Sequence, residues 1–271
     1  EVLAGDVSLP HLGLDEPVYQ TLAERVSHII HSAADLRFDA PLDELRKTNL
    51  QGTANIVELA KSARHEHALQ RLAHVSTAYV AGRRKGVIAE GALSGEHGFN
   101  NGYEQSKYEA ECLVQAARSE LPITIFRPGM VVGAADSGEI RTFNTVYYPL
   151  RMYLSGKHAL LPLDPSLPVN IVPVDYVAEA IVRLTFREEA QGQTFHLTAP
   201  DESLPRVGEL VECVRERARA RHGLRLPRPV YLRLPLPGEL YRPERASRRP
   251  TESRGKFWQD LIGADLRGLL V

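Results

Sequence analysis

The stretch YEQSKYEAECLVQAARSELPITIFRPG, residues 103–129, changes its period part-way along. Ala110, Leu113, Val114 and Ala117 recur at helical spacing, so residues 103–119 read as a helix with one buried stripe. Pro122 to Phe126 (PITIF) reads as a buried strand, stopped by Arg127-Pro128-Gly129. The same alternation lies upstream. Val26 to Ala34 (VSHIIHSAA) and Arg71 to Thr77 (RLAHVST) are predicted strands. Between them, Leu42 to Ala63 keeps helical spacing through Leu45, Gly52, Thr53, Ile56, Val57 and Ala60. Strands and helices taking turns at this pitch imply right-handed crossovers, and so an α/β fold with a parallel sheet.

The rest of the chain is less regular. A glycine-bearing loop is expected over 82–102. Further helices are expected over 142–156 and 175–185, strands over 169–172 and 194–197, and an arginine-rich helix from about Arg206. The proline-rich stretch after it reads as a linker, a lid or an extended surface segment. Hydrophobic residues make up 43% and charged residues 25%, the balance of a globular domain. A net charge of −1 gives no reason to expect nucleic acid, and no apolar run approaches the roughly 18 residues of a membrane span. Cys112 and Cys213 lack metal-like spacing, fit a reducing, cytoplasmic setting, and Cys112 is expected to be a small buried thiol. His65, His67 and His74 lack the paired spacing of a zinc site and read as a solvated helix end, so no metal is expected.

Tyr103 and Lys107 stand four apart on the predicted helix, on the face of its buried stripe. An unpaired buried ammonium costs several kcal/mol, so a lysine there implies a purpose. A nearby cation favours phenolate and should draw a tyrosine down from its usual pKa of about 10. The pair would then supply a general acid for a carbonyl oxygen as hydride reaches carbon. Ser76-Thr77 ends the preceding strand with two hydroxyls, only one of which can face the helix. Asn49 interrupts the apolar stripe of its own helix and needs partners, either strand backbone or a water chain to Lys107. Arg127-Pro128-Gly129 falls where open parallel sheets bind their ligands.

His74-Val-Ser-Thr-Ala-Tyr-Val80 followed by Tyr103-Glu-Gln-Ser-Lys107 resembles the extended short-chain dehydrogenase/reductases. The stretches 5–14 (GDVSLPHLGL), 31–34 (HSAA), 49–53 (NLQGT), 126–129 (FRPG) and 172–177 (VPVDYV) are similar to the fatty acyl-CoA reductase and thioester reductase branch, the male-sterility type of NAD-binding domain. The resemblance covers about residues 1 to 200 and implies a Rossmann-like core with a smaller C-terminal substrate region. Residues 1–133 would form the core and 134–271 the substrate region, with segments over about 169–200 returning to the core. The activity implied is NAD(P)H-dependent reduction of an acyl thioester, on coenzyme A or an acyl carrier protein, to aldehyde or alcohol, with NADPH the cofactor of that branch. Thr77 would polarise the carbonyl in preference to Ser76, Tyr103 would donate the proton, and Lys107 would hold the nicotinamide ribose. Asp6 and Val7 would lie near the adenine, Ala33 and Ala34 would let the cofactor pass close to the sheet, and Pro128 and Gly129 would shape the nicotinamide side. Asn49 would support the set. Residues 136–163 would help form the acyl pocket, and the arginines from Arg215 to Arg254 would either form a solvated face or grip phosphates or an acidic carrier.

One departure stands out. The Gly-x-x-Gly-x-x-Gly loop of the family is not in these residues, and the resemblance puts it two strand-helix units before Gly5-Asp6. The expectation is therefore a core lacking its first βαβ unit, which alone would bind cofactor poorly. Two other readings share parts of the pattern: a dehydrogenase or epimerase acting on a nucleotide sugar or hydroxysteroid, and a scaffold that lost cofactor binding.

Overall fold

The computed structural model describes residues 2–66, 68–91, 93–140, 147–156, 159–161 and 163–231. The first half runs α1 (Glu16–Arg25), β1 (His28–His31), α2 (Leu42–Arg46), α3 (Gly52–His65), β2 (Arg71–Val75), α4 (Gly102–Ala116) and β3 (Ile123–Pro128). The second half adds β4 (Met130–Val132), α5 (Tyr147–Leu154), β5 (Leu160–Leu161), β6 (Ile171–Pro173), α6 (Val174–Thr185), β7 (Thr194–Leu197), α7 (Val207–His222) and β8 (Val230–Tyr231). Strands β1, β2, β3 and β7 form one parallel sheet in that order. β4 pairs with β6 and β5 with β8, also in parallel.

Helices cover both faces of the sheet, so its central strands are buried along nearly their whole length rather than on alternate residues. Leu72, Ile123 and Ile125 face α3 and α4 and pack with Ile56, Val57, Ala60 and Val114. Ala73 and Phe126 face the other way, into Val177 and Ile181 of α6. A third cluster, Tyr153, Leu161 and Val211, joins α5, β5 and α7 in the second half.

The structure adds α1, β4, β5 and β8, which the periodicity does not predict, and differs from the sequence reading in other places too. β3 continues past Phe126 through Arg127 and Pro128. β2 ends opposite Phe126, so no neighbour on that side asks Pro128 for the N–H it lacks. The helix expected over 42–63 is broken by a π turn, Lys47–Gln51, centred on Asn49, the kind of one-residue bulge often found at functional sites. Cys112 is exposed, not buried. At 100° per residue it lies about 200° round the helix from the stripe positions Ala110 and Val114, which are fully buried.

A buried ion pair ties these layers together. The Arg127 side chain is fully buried and forks onto Glu111 of α4, with Nη2 to Oε1 at 2.5 Å and Nε to Oε2 at 3.1 Å. Ser76, just past β2, donates to the same carboxylate at 2.6 Å. Arg127 also donates to the Gly91 carbonyl at 2.9 Å and to His196 Nε2 of β7 at 3.3 Å. The bond to His196 makes that nitrogen an acceptor, so its ring proton sits on Nδ1. Next to Gly91, Glu90 accepts from the His196 backbone N–H at 2.7 Å and so occupies a donor of the edge strand.

Removing one member of such a pair strands the other charge. Arg127→Met alone should lower unfolding free energy by about 3–5 kcal/mol, whereas Arg127→Met with Glu111→Leu should recover most of that loss. Urea titrations of the four members of the cycle check this, and equal losses in single and double variants would show that the pair is not the tie.

Candidate functional site

Asn101 caps α4 by accepting from the Glu104 N–H at 2.9 Å, which puts Tyr103 in the first helical turn. Tyr103, Lys107 and Glu111 follow at i, i+4 intervals, and all three point into the protein, at 6%, 2% and 4% exposure. Glu111 is taken by Arg127, as above. The Lys107 ammonium donates to the Val75 carbonyl at the end of β2, at 3.0 Å. It does not reach a cleft by itself; the sheet's last carbonyl brings it to the C-terminal edge. Thr77 leaves β2 in an extended conformation and caps a one-turn 3-10 helix, Ala78–Ala81, by accepting from the Tyr79 N–H at 3.2 Å. Its hydroxyl also faces the Tyr103 phenol closely enough to lower the phenol's pKa. Ser76 points the opposite way, to Glu111.

The electrostatics differ from the expectation of a depressed phenol. Burial pushes Tyr103 up to about 12; Thr77 opposes that rise, while Tyr79 and Glu104 add to it. The Lys107 ammonium is hydrogen-bonded to the Val75 carbonyl and not to the phenol. Burial likewise lowers Lys107 to about 8, with Glu111 opposing. The phenol is therefore fully protonated at neutral pH, and the ammonium, though lowered, is still mostly charged there.

Beneath Lys107 lie two histidines. His31 ends β1 and His74 stands opposite it on β2, with ring centroids 5.5 Å apart. Thr53 spends its one hydroxyl hydrogen on the Asn49 carbonyl at 2.6 Å, so the 3.0 Å contact to His31 Nε2 makes that nitrogen the donor. Burial and the Lys107 charge lower His31 to about 4 and His74 well below its usual value, so both rings are neutral. His74 is thus a fully buried strand residue and not part of a solvated helix end. Among the described residues neither of its ring nitrogens has a hydrogen-bond partner. His65 ends α3, exposed, and His67 lies outside the described residues.

Asn49 finds backbone, but of a loop and not a strand. It accepts from the Asp35 N–H at 2.7 Å and donates to the Asp35 carbonyl at 3.0 Å. Its amide also donates to Ser106 Oγ at 2.9 Å, and Ser106 donates to the Tyr103 carbonyl at 2.9 Å. Asn49 therefore fastens the loop after β1 to the first turn of α4. That loop carries Ala33, exposed, Ala34, half-buried, and Phe38, whose ring packs 5.1 Å from that of Tyr103. Asp6 and Val7 belong to a separate tight loop. Asp6 accepts from Ser8 N and Oγ at 2.8 and 2.7 Å, which lowers its pKa, and its N–H closes the loop on Leu12 at 2.8 Å. His11, Leu12 and Gly13 turn through left-handed backbone at φ 51°, 59° and 68° to allow this closure. Val7 lies on α3, where Asn55 donates to its carbonyl at 2.7 Å, and a Cβ at Gly52 would come within 3.0 Å of its side chain. Pro128 is buried; at Gly129 a Cβ would come within 2.8 Å of the Asn170 side-chain oxygen.

The family model described as Male sterility protein, an NAD-binding domain, matches residues 1–181. The chain belongs to this family. Fatty acyl-CoA reductase wat of Drosophila melanogaster is 31% identical over 209 residues, covering 67% of this chain and 40% of that protein. The terminal R domain of the myxalamid PKS-NRPS biosynthetic pathway superposes with a TM-score of 0.71 at 36% identity, over 79% of this chain and 53% of that one. The reductase domain of a nonribosomal peptide synthetase from Mycobacterium tuberculosis gives 0.65 at 27% identity, over 84% and 57%. The chain thus spans less than two thirds of each. These likenesses, with the parallel sheet between helices, agree with the Rossmann-like α/β class read from the sequence.

Four residues close to Thr77, Tyr103 and Lys107 were given no role by the sequence reading: Phe38, Tyr79, Glu111 and His31. Glu111 alone had a legible signal, since it repeats the i, i+4 step from Lys107 and so puts a second charge on a buried stripe. Of the C-terminal arginines, Arg215 pairs with Glu212 at 2.5 Å, and residues 232–271 lie outside the described residues. No described helix is long and apolar enough to cross a membrane.

The lowered Lys107 pKa has a consequence for stability. Between about pH 8 and the unfolded value near 10.5, the unfolded chain binds more protons than the folded one, so stability rises with pH in that window. Lys107→Met should raise stability at pH 7 and remove that rise. Urea unfolding of both proteins from pH 7 to 10 measures it, and parallel curves would contradict a buried, destabilised ammonium.

Proposed function

We propose that this chain carries the proton-donating side of an NADPH-dependent reductase that converts an acyl thioester, on coenzyme A or a carrier protein, to the aldehyde or alcohol. The observation that carries this reading is the buried Tyr103 phenol, facing the Thr77 hydroxyl and one helical turn from Lys107 at the C-terminal edge of a parallel sheet. Family membership and the named reductases that the chain resembles support it.

The residues fit a dinucleotide with its ribose near Lys107. An ammonium has three donors, and the hydrogen bond to Val75 uses one of them, leaving others for a ribose hydroxyl. The small side chains of Ala33 and Ala34 leave the mouth of β1 open to a flat ligand, and Pro128 and Gly129 give the opposite wall little bulk. Asp6 and Val7 would meet the adenine end, and Asn49 acts by holding the loop after β1 and the first turn of α4. When bound, the cofactor supplies hydride to the thioester carbonyl carbon.

The chain's own part is to handle the oxygen. The Thr77 hydroxyl would donate to the carbonyl oxygen and make its carbon more electrophilic. As negative charge develops there, the oxygen becomes more basic than a phenolate, and the Tyr103 proton moves to it. A phenol held near pKa 12 keeps its proton until that moment. Lys107, one helical turn away, would stabilise the phenolate that remains. Collapse of the resulting hemithioacetal breaks the C–S bond, returns the hydroxyl proton to Tyr103 and releases the thiolate, which is protonated by solvent.

Tyr103→Phe in the full-length protein should reduce acyl-CoA-dependent NADPH oxidation by about 10²–10⁴-fold while leaving NADPH affinity within about twofold. A variant that keeps most of its rate would remove Tyr103 from the role of proton donor.

A further inference from the structure

One buried group beside the site has no part in the proton chemistry described above. His74 is fully buried on β2, one residue before the Val75 carbonyl that holds the Lys107 ammonium. On a strand it shares a face with Leu72, which packs toward α3 and α4, and Lys107 enters from α4 on that same side. Among the described residues neither nitrogen of its ring has a hydrogen-bond partner. A buried imidazole in that state costs stability that an apolar side chain of similar shape would not, and buried polar groups are as a rule paired. The groups whose charge acts on it are Lys107 and His31.

The bonds already made around it limit what each ring nitrogen can do. The Asn49 carbonyl can only accept; Thr53 gives it a hydroxyl hydrogen, and His31 Nε2 gives its hydrogen to Thr53. In a neutral ring this leaves His31 Nδ1 an acceptor. A neutral His74 has one N–H and one lone pair. The N–H suits His31, whose ring centroid is 5.5 Å away, and the lone pair then needs a donor. Lys107 is a donor with hydrogens to spare, since Val75 takes one of three. The other charges about the ammonium are engaged elsewhere. On its own helix Glu111 is held by Arg127 of β3 and by Ser76, Glu104 takes the Asn100 N–H, and the Tyr103 phenol is neutral. From α3 the nearby polar groups are the uncharged Thr53 and, in the π turn before it, Asn49.

We propose that His74 is a positioning residue for Lys107: its ring accepts one N–H of the ammonium, holds the side chain in its charged form and leaves the third hydrogen for the cofactor ribose. Its purpose rests on the thioester-reductase reading, and the test separates the two. Full-length protein without cofactor is unfolded in urea from about pH 6 to 10, each His74 variant being paired with the same variant carrying Lys107→Met. The difference within a pair isolates the Lys107 titration. The folded ammonium gives up its proton at lower pH than the unfolded one, so the lysine form gains stability on its methionine partner as pH rises. The onset of that gain should fall by about one pH unit in His74→Phe, a tenfold loss of proton affinity. His74→Leu should do the same and serves where phenylalanine disturbs folding. In His74→Asn or His74→Gln, whose amides keep an acceptor, the onset should stay within about 0.3 unit. NADPH oxidation with acyl-CoA is followed over the same range, and its alkaline limb should move with the onset. A moved onset in a protein whose parent oxidises no NADPH with any acyl-CoA would end the reductase reading and keep His74 as the partner of Lys107. An onset unmoved in both apolar variants, or moved equally in both amide variants, would leave His74 a packing role only, with the reductase reading standing.

Discussion

The buried pair of Arg127 and Glu111 is the constraint on which the site's geometry depends. Two charges taken from water are tolerated only when nearly every donor and acceptor is met, and here the requirement recruits distant segments. The guanidinium reaches α4, the 82–102 loop and β7; the carboxylate also takes the Ser76 hydroxyl. Because Glu111 lies on the same helical row as Lys107 and Tyr103, anchoring it sets the rotation of α4 about its axis. Because Ser76 is turned to Glu111, Thr77 is turned the other way, to Tyr103. One ion pair thereby decides which hydroxyl faces the phenol.

Around that anchor the protein accepts a concentration of buried polar groups that hydrophobic packing alone would reject. Lys107, His31, His74 and Asn49 are all nearly or fully buried near one strand end. Their costs are held down by neutral imidazoles, by the Val75 carbonyl under the ammonium and by the two-point clasp of Asn49 on Asp35. A group of this kind is stable only as a set, since each hydrogen bond limits where the next can go. The π turn at Asn49 fits the same logic: it places an amide inward where a regular helix would have continued its apolar stripe.

The two halves of the chain divide the labour. Sheet, α3 and α4 position the polar groups, and the second half contributes a separate apolar cluster with an open cavity beside it. They meet where β3 passes into β4 through Gly129, a position with no room for a side chain against Asn170. Polar groups gathered at the C-terminal edge of the strands, with later segments packed beside them, is the arrangement expected of an open parallel sheet.

The sequence by itself determined the periods, and with them the strands of the central sheet, the helices that follow β1, β2 and β6, the parallel order and the pairing of Tyr103 with Lys107 on one buried helical face. Those features are local, because hydrophobic spacing within a few turns reports which side of an element leaves water. It could not say that Cys112 is exposed, since the width of a stripe depends on what packs against it. Nor could it say that Asn49 clasps Asp35, that Arg127 serves Glu111 and not a ligand, or that burial would raise the Tyr103 pKa. Each depends on groups brought together from separate parts of the chain, as Asn49 is with Ser106 and Arg127 with His196. A buried charge or amide demands a partner, but which partner answers, and what dielectric surrounds the two, is decided only when distant segments close upon one another.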